Sequence, residues 1–144
     1  MLRWLRRLVL LLFIAAIFAA LAYLITTETR KRQLEAYNAR DIDALMATYS
    51  DDVLHYEFPS TLVASGAAQV RERLAVRLLE PNLHAKLLNR IAMSNIVIDH
   101  ELVTRTFPEG TGTVEMIAMY EVLGDTIAKA WIKVGDKQLS EPLP

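Results

Sequence analysis

The chain has 144 residues, 53% of them hydrophobic, with no cysteine and a formal net charge of −1. That length holds one domain rather than two, and the lack of Cys excludes disulfides, thiolate metal sites, a thiol nucleophile and a lipidated cysteine. Beyond residue 25 the chain carries 13 of its 16 Lys and Arg against all 17 acids, a net of −4, which excludes the basic footprint of a nucleic-acid binder.

Residues 1–7 form a basic flank with Arg3, Arg6 and Arg7. Residues 8–25 carry no charge, and as a helix they span about 27 Å, close to the hydrocarbon core of a bilayer. Trp4 and Tyr23 stand near the two ends of this run, where interfacial aromatics collect. The run reads as a single-pass membrane anchor. Ala20-Leu21-Ala22 also offers a small-x-small site for cleavage as a signal peptide. Arg3, Arg6 and Arg7 have no acid beside them, whereas Glu28 dilutes Arg30, Lys31 and Arg32, so the expected body lies on the extracytoplasmic side. Residues 26–32 form a juxtamembrane segment, in which Arg30-Lys31-Arg32 reads as a stop-transfer flank or a contact for anionic headgroups. No Gly, Ser or Pro linker follows, so the first helix of the body is expected to continue straight from the membrane segment.

Leu34, Tyr37 and Ala39 belong to that first helix. Asp41 is a good N-cap for a second helix, where Ile42, Leu45, Met46 and Tyr49 have the spacing of one buried face. Asp51-Asp52 is expected to turn the chain into a strand over residues 53–58, stopped by Pro59. Residues 60–66 read as a loop with Ser65 capping a third helix, whose apolar stripe is Ala67, Val70, Leu74 and Leu78. After Pro81 the period changes to alternation. Leu83, Ala85, Leu87 and Ile91 share one face of a strand, with His84 on the exposed side. Ile96, Ile98, His100 and Leu102 form the expected inward face of the next strand, with Asp99 and Glu101 solvated. Residues 108–112 form a turn, Val114, Met116, Ala118, Tyr120 and Val122 form an inward face, and Gly124-Asp125 marks a hairpin. A last strand covers 126–134, and 139–144 form a tail. Helices first and antiparallel strands after give an α+β layer with helices on one face of a curved sheet.

Four local features carry a family resemblance. They are Ala39-Arg40-Asp41-Ile42-Asp43-Ala44-Leu45 followed by Tyr49-Ser50-Asp51-Asp52-Val53; Glu57-Phe58-Pro59 with Ser65-Gly66; Asn89-Arg90-Ile91 with Val97-Ile98-Asp99-His100-Glu101; and Tyr120-Glu121-Val122 with Ile127 and Trp131. In order and spacing they resemble the nuclear transport factor 2-like superfamily, and within it the SnoaL-like, ketosteroid-isomerase-like branch. The resemblance implies a domain over residues 33–138: a cone-shaped α+β fold of three helices on a curved, mainly antiparallel sheet, with a deep pocket and a homodimer through the sheet. It does not fix the function, since members include isomerases, cyclases, hydrolases and binding proteins.

The isomerases of the family place an Asp base eight residues after the Tyr of a Tyr-Ala-Asp-Asp motif, and here that position is Glu57. Their two enolate donors, a Tyr and a protonated Asp, fall by the same spacing on Gln33 and Ala118, with Tyr37 one turn beyond. Losing one such donor typically removes about 2.7–4 kcal/mol of transition-state stabilisation, which weakens steroid isomerisation as a reading.

Val53, His55 and Glu57 share one strand face, and Leu54, Tyr56 and Phe58 the other. Apolarity favours the second face as inward, whereas the resemblance favours the first. In a pocket, burial would favour the neutral form of Glu57 and make it a general base tuned by His55; equally, Glu57 would serve as a ligand hydrogen bond or a structural pair. Tyr37, Tyr49, His100, Met116, Ala118, Tyr120 and Trp131 are the candidate ligand-contact residues, with packing as the alternative for each. His55, Glu57 and His100 have no spacing that supports a metal site, and no phosphate loop or nucleotide-binding glycine pattern occurs, so no cofactor is expected. The expected function is a membrane-tethered pocket for a small apolar molecule, with or without isomerase- or lyase-like proton transfer. The alternative is a non-catalytic dimerisation or protein-interaction module.

Overall fold

The computed structural model describes residues 2–140. Its elements are α1 (Leu2–Ala39), α2 (Ile42–Met46), β1 (Tyr49–Glu57), β2 (Thr61–Ser65), α3 (Ala67–Leu78), β3 (His84–Met93), β4 (Ile96–Phe107), β5 (Gly110–Leu123) and β6 (Thr126–Leu139). The six strands form one open sheet in the order β2-β1-β6-β5-β4-β3. The β1–β6 pair is parallel and the other four pairs are antiparallel. The fold is α+β, three helices against a mixed sheet. α1 packs on β3–β6, and α3 packs on β1 and β2.

α1 is one unbroken helix of 38 residues. Its apolar half is exposed along its length, including Leu12 at 63% and Phe18 at 67%, and it is long and apolar enough to cross a membrane. Burial against the domain begins at Thr26, immediately after the apolar run. The helix ends in a left-handed turn at Arg40 (φ 59°). There the Arg40 amide donates to the Tyr37 carbonyl and the Asp41 amide to the Ala36 carbonyl, which satisfies carbonyls that a helix end leaves open. Asp41 then caps α2, its Oδ1 accepting from the Ala44 amide at 2.9 Å.

Several local expectations are corrected. Tyr49 opens β1 rather than closing α2. Asp51 and Asp52 lie inside β1, exposed on a stretch where β1 advances five residues (Tyr49 to Leu54) while β6 advances two (Ile127 to Lys129). Most of residues 60–66 is not loop but β2, an edge strand paired to β1. Gly66, not Ser65, stands at the N-cap of α3, at φ 83°. β6 continues to Leu139, paired with Gly112, so the tail expected from 139 begins later; residues 141–144 lie outside the described residues.

The largest correction concerns β4. Its inward residues are Val97, Asp99, Glu101 and Val103, whereas Ile96, Ile98, His100 and Leu102 are only half-buried. Two carboxylates are tolerated inside because Arg30 of α1 enters the core with them. Arg30 is 1% exposed, and its Nε lies 2.7 Å from Asp99 Oδ2. Arg30 therefore makes no headgroup contact, while Lys31 and Arg32 stay exposed. Leu45, Val53, Val70, Ala118, Ile127 and Ala130 belong to the apolar core.

Candidate functional site

A cavity of about 370 Å³ lies between the sheet and helices α1 and α3. Its floor is built by α1. Arg30, Gln33, Leu34 and Tyr37 stand at i, i+3, i+4 and i+7 and all line it. Arg30 Nη1 donates to Gln33 Oε1, and Arg30 Nη2 donates to Glu101 Oε1. Gln33 Nε2 donates to the Tyr49 hydroxyl at 2.8 Å. The guanidinium also lies 4.4 Å from the centre of the Tyr120 ring, a cation–π contact. Arg30 Nε meets Asp99 off the hydrogen-bonding direction, so that contact is Coulombic; Arg90 supplies the bidentate pair to Asp99, at 2.6 and 2.8 Å.

Burial raises the pKa of Glu101, partly offset by Arg30 and reinforced by Asp99. Burial opposes the charge on Arg30, but Tyr120, Glu101 and Asp99 more than offset it and hold its pKa above the ordinary value. Burial pushes the Tyr49 hydroxyl up to about 12 and also raises Tyr37 and Tyr120, so all three are neutral. The floor is thus the Arg30–Glu101 pair with neutral donors around it, backed by the Arg90–Asp99 pair.

The wall is apolar, with Leu74, Val103, Val114, Met116 and Ile132. His55 interrupts it. Burial, with the nearby Arg73 charge second, lowers its pKa to about 4, so the imidazole is neutral near pH 7. Its ring meets Tyr49 edge-on at 5.2 Å, and its Nε2 is buried without a hydrogen-bond partner. The mouth is charged. Arg77 and Arg105 both bind Glu80, Arg105 Nη2 at 2.6 Å, while Arg73 has no ion pair among the described residues. Glu57 is exposed at this rim.

Of the residues singled out in the sequence, Tyr37, Tyr49, His55, Glu57, Met116 and Tyr120 line the cavity. The burial on which a base role for Glu57 depends is absent, because it terminates β1 at the rim. His100 does not reach the cavity. It points to the outer face of the sheet, with Nε2 3.1 Å from Glu115 Oε2. Ala118 is fully buried in the core rather than on the cavity surface. Trp131 is also outside it, stacked on Tyr56 with ring centres 5.6 Å apart. Arg30, Gln33 and Glu101 were not singled out as lining residues. The helical spacing from Arg30 to Tyr37, and the shared parity of Glu101 with Val97 and Val103, are the signals that would have found them. Among the described residues no three His, Asp or Glu side chains converge as a metal-ligand set.

The model of the SnoaL-like domain matches residues 31–130. The chain belongs to the SnoaL-like domain family. No curated protein sequence matches this SnoaL-like chain. Among solved structures it is similar to an uncharacterized cystatin fold protein from Novosphingobium aromaticivorans, with 25% identity and a TM-score of 0.69, over 75% of this chain and 97% of that one. It is similar to an LEH-like epoxide hydrolase of M. tuberculosis at 13% identity and a TM-score of 0.69, over 78% and 84% of the two chains. A protein with a ketosteroid isomerase-like fold from Catenulispora acidiphila, solved in complex with trimethylamine, matches at 14% identity and a TM-score of 0.64, over 74% and 84%. These last two likenesses show the shared SnoaL-like fold.

Proposed function

We propose that this chain is a membrane-tethered SnoaL-like domain that binds one small, mainly apolar molecule with its polar end against the Gln33–Arg30–Glu101 floor. The observation that carries this reading is an apolar-walled cavity of about 370 Å³ ending on buried polar groups. That volume is at the lower end of the ~300–1,000 Å³ usual for ligand pockets, and apolar walls with a few placed polar groups are their usual lining. The domain lies on the extracytoplasmic side, consistent with the acid-free Arg3, Arg6 and Arg7 flank. A homodimer would cover the outer sheet face, where Ile117 is 42% and Ile91 61% exposed.

The test is calorimetric titration of 2-naphthol and naphthalene into the full chain in lipid nanodiscs, with empty nanodiscs subtracted. Saturable one-to-one binding, tighter for 2-naphthol, supports the reading. No binding of either above empty discs refutes it in favour of a non-catalytic interaction module.

A second reading, isomerase- or lyase-like proton transfer, is favoured by one observation: a buried carboxyl with raised pKa at the floor. In this reading Glu101 exchanges the proton, Tyr49 and Tyr120 donate to developing charge, and neutral His55 accepts from the bound molecule, while Glu57 stays at the rim and takes no part in the exchange. Hydrogen–deuterium exchange at an α-carbon of a bound ketone, lost in Glu101→Gln and kept in Glu57→Gln, supports it. Exchange kept in Glu101→Gln refutes it.

A further inference from the structure

We propose that the domain stands on the bilayer on the tips of the β3–β4 and β5–β6 hairpins, so that the cavity opens away from the membrane and is filled from water. This rests on α1 crossing the bilayer along its apolar run. The inference comes from the direction in which the elements run from the end of that run.

α1 is continuous through residue 25, so the domain inherits the orientation of the membrane segment without a flexible joint. The β5–β6 tip is fastened beside the exit point. Thr29 Oγ1 and Arg32 Nη2 donate to the Asp125 carbonyl at 3.2 and 3.3 Å. Thr29 is four residues beyond Ile25, a rise of about 6 Å. The headgroup layer of one leaflet is about 5–8 Å thick. The tip is therefore level with the headgroups. The β3–β4 tip is tied to the same height, since the Val122 amide donates to the Asn95 carbonyl at 2.8 Å. Both tips carry an apolar residue that nothing in the fold covers: Met93 is 76% exposed and Leu123 is 55% exposed. Their occupant is the interfacial region of the bilayer into which residues 8–25 run.

The other end of the domain is far from lipid. β4 and β6 run away from these tips, and α1 runs parallel to them. Arg40 Nη2 donates to the Pro81 carbonyl at 2.5 Å, next to the Glu80 that holds the mouth arginines. Arg40 lies fifteen residues beyond Ile25, about 22 Å up the helix. The exposed lining residues, Glu57, Arg73 and Val134, and the half-buried Arg77 are all at this distal end. The lining residues toward the bilayer, Arg30, Gln33, Tyr49, Glu101 and Tyr120, are all buried and close the cavity on that side. A ligand that partitions into lipid has no route through this floor.

The chain has no native cysteine, so single spin labels report unambiguously. Met93→Cys, Leu123→Cys, Arg73→Cys and Glu109→Cys would be labelled in the full chain in phosphatidylcholine/phosphatidylglycerol nanodiscs, with Ile14→Cys as the membrane control. The reading is the ratio of collisions with oxygen to collisions with a water-soluble nickel chelate. The expected order is highest at 14, intermediate at 93 and 123, and lowest and equal at 73 and 109. Labels at 93 and 123 that match 109 while 14 reads as lipid overturn the docking alone. A label at 73 that reads as lipid overturns the direction of the mouth. A label at 14 that matches 109 overturns the membrane reading and this pose with it.

Discussion

Replacing Arg30 with Met removes the one cation that faces Glu101 from α1. The consequence can be worked out from its partners. Asp99 keeps its bidentate pair with Arg90 at 2.6 and 2.8 Å, so its charge remains compensated. Glu101 keeps no such partner, and it is 1% exposed. Removing one member of a buried pair costs about 3–5 kcal/mol, because the other charge stays behind uncompensated. For a domain of this size about 1 kcal/mol moves the unfolding midpoint by roughly 4 °C, so the expected fall is about 12–20 °C. The assay is thermal unfolding of the detergent-solubilised chain, followed by circular dichroism of the sheet. The double variant Arg30→Met/Glu101→Leu should recover most of the loss, because an apolar pair of similar volume leaves no buried charge. The pH dependence has a defined sign. The folded pKa of Glu101 is already raised above its ordinary 4.5. Its contribution is therefore fully present below that value and lost as pH rises through the folded pKa. The deficit of Arg30→Met relative to wild type should accordingly be smaller at pH 4 than at pH 7. A midpoint within about 4 °C of wild type at pH 7, or a double variant no better than the single, would refute the reasoning.

Three further outcomes follow from the same structure. His55 has a folded pKa lowered to about 4, so its contribution is present above 6.5 and lost as pH falls through 4; the wild type should lose up to about 3 kcal/mol over that window, and His55→Phe should flatten the pH dependence of the unfolding midpoint there. Gly112→Ala places a Cβ 2.5 Å from the Gln138 carbonyl oxygen; a cost of about 1–3 kcal/mol is expected, with faster amide exchange at the end of β6. Asp41→Ala removes the cap on the Ala44 amide and should cost about 1 kcal/mol in urea unfolding.

The sequence was legible where one residue type had one physical use. The charge-free run, the Asp41 cap, the Gly124-Asp125 turn and the alternation of β5 all found their places. Register was legible only where apolar parity agreed with burial. In β4 the more apolar parity is the outer one, because the inner one includes Asp99 and Glu101, and the cation that pairs with Glu101 is some seventy residues away on α1. Arg30 looks like a membrane flank beside Lys31 and Arg32; only its helical spacing with Gln33, Leu34 and Tyr37 points inward. The strand β2 was missed because five residues between Ser60 and Gly66 pair only with β1, where a register shift between His55 and Tyr56 also blurs the alternation. The candidate site was half legible for the same reasons. Met116 and Tyr120 followed from strand parity, and His55 and Glu57 from the family spacing, but the floor depended on a long-range charge pairing.

The most direct test of a ligand-binding cavity is the methyl signal of Met116. The chain has five methionines; Met116 lines the cavity, and Met46, Met93 and Met119 do not, so they serve as internal controls. With ¹³C-methyl methionine in nanodiscs, titration of 2-naphthol should shift the Met116 signal saturably and leave Met46 and Met119 in place. A Met116 signal that stays fixed throughout the titration, or one that moves only in proportion to Met46 and Met119, would contradict the account.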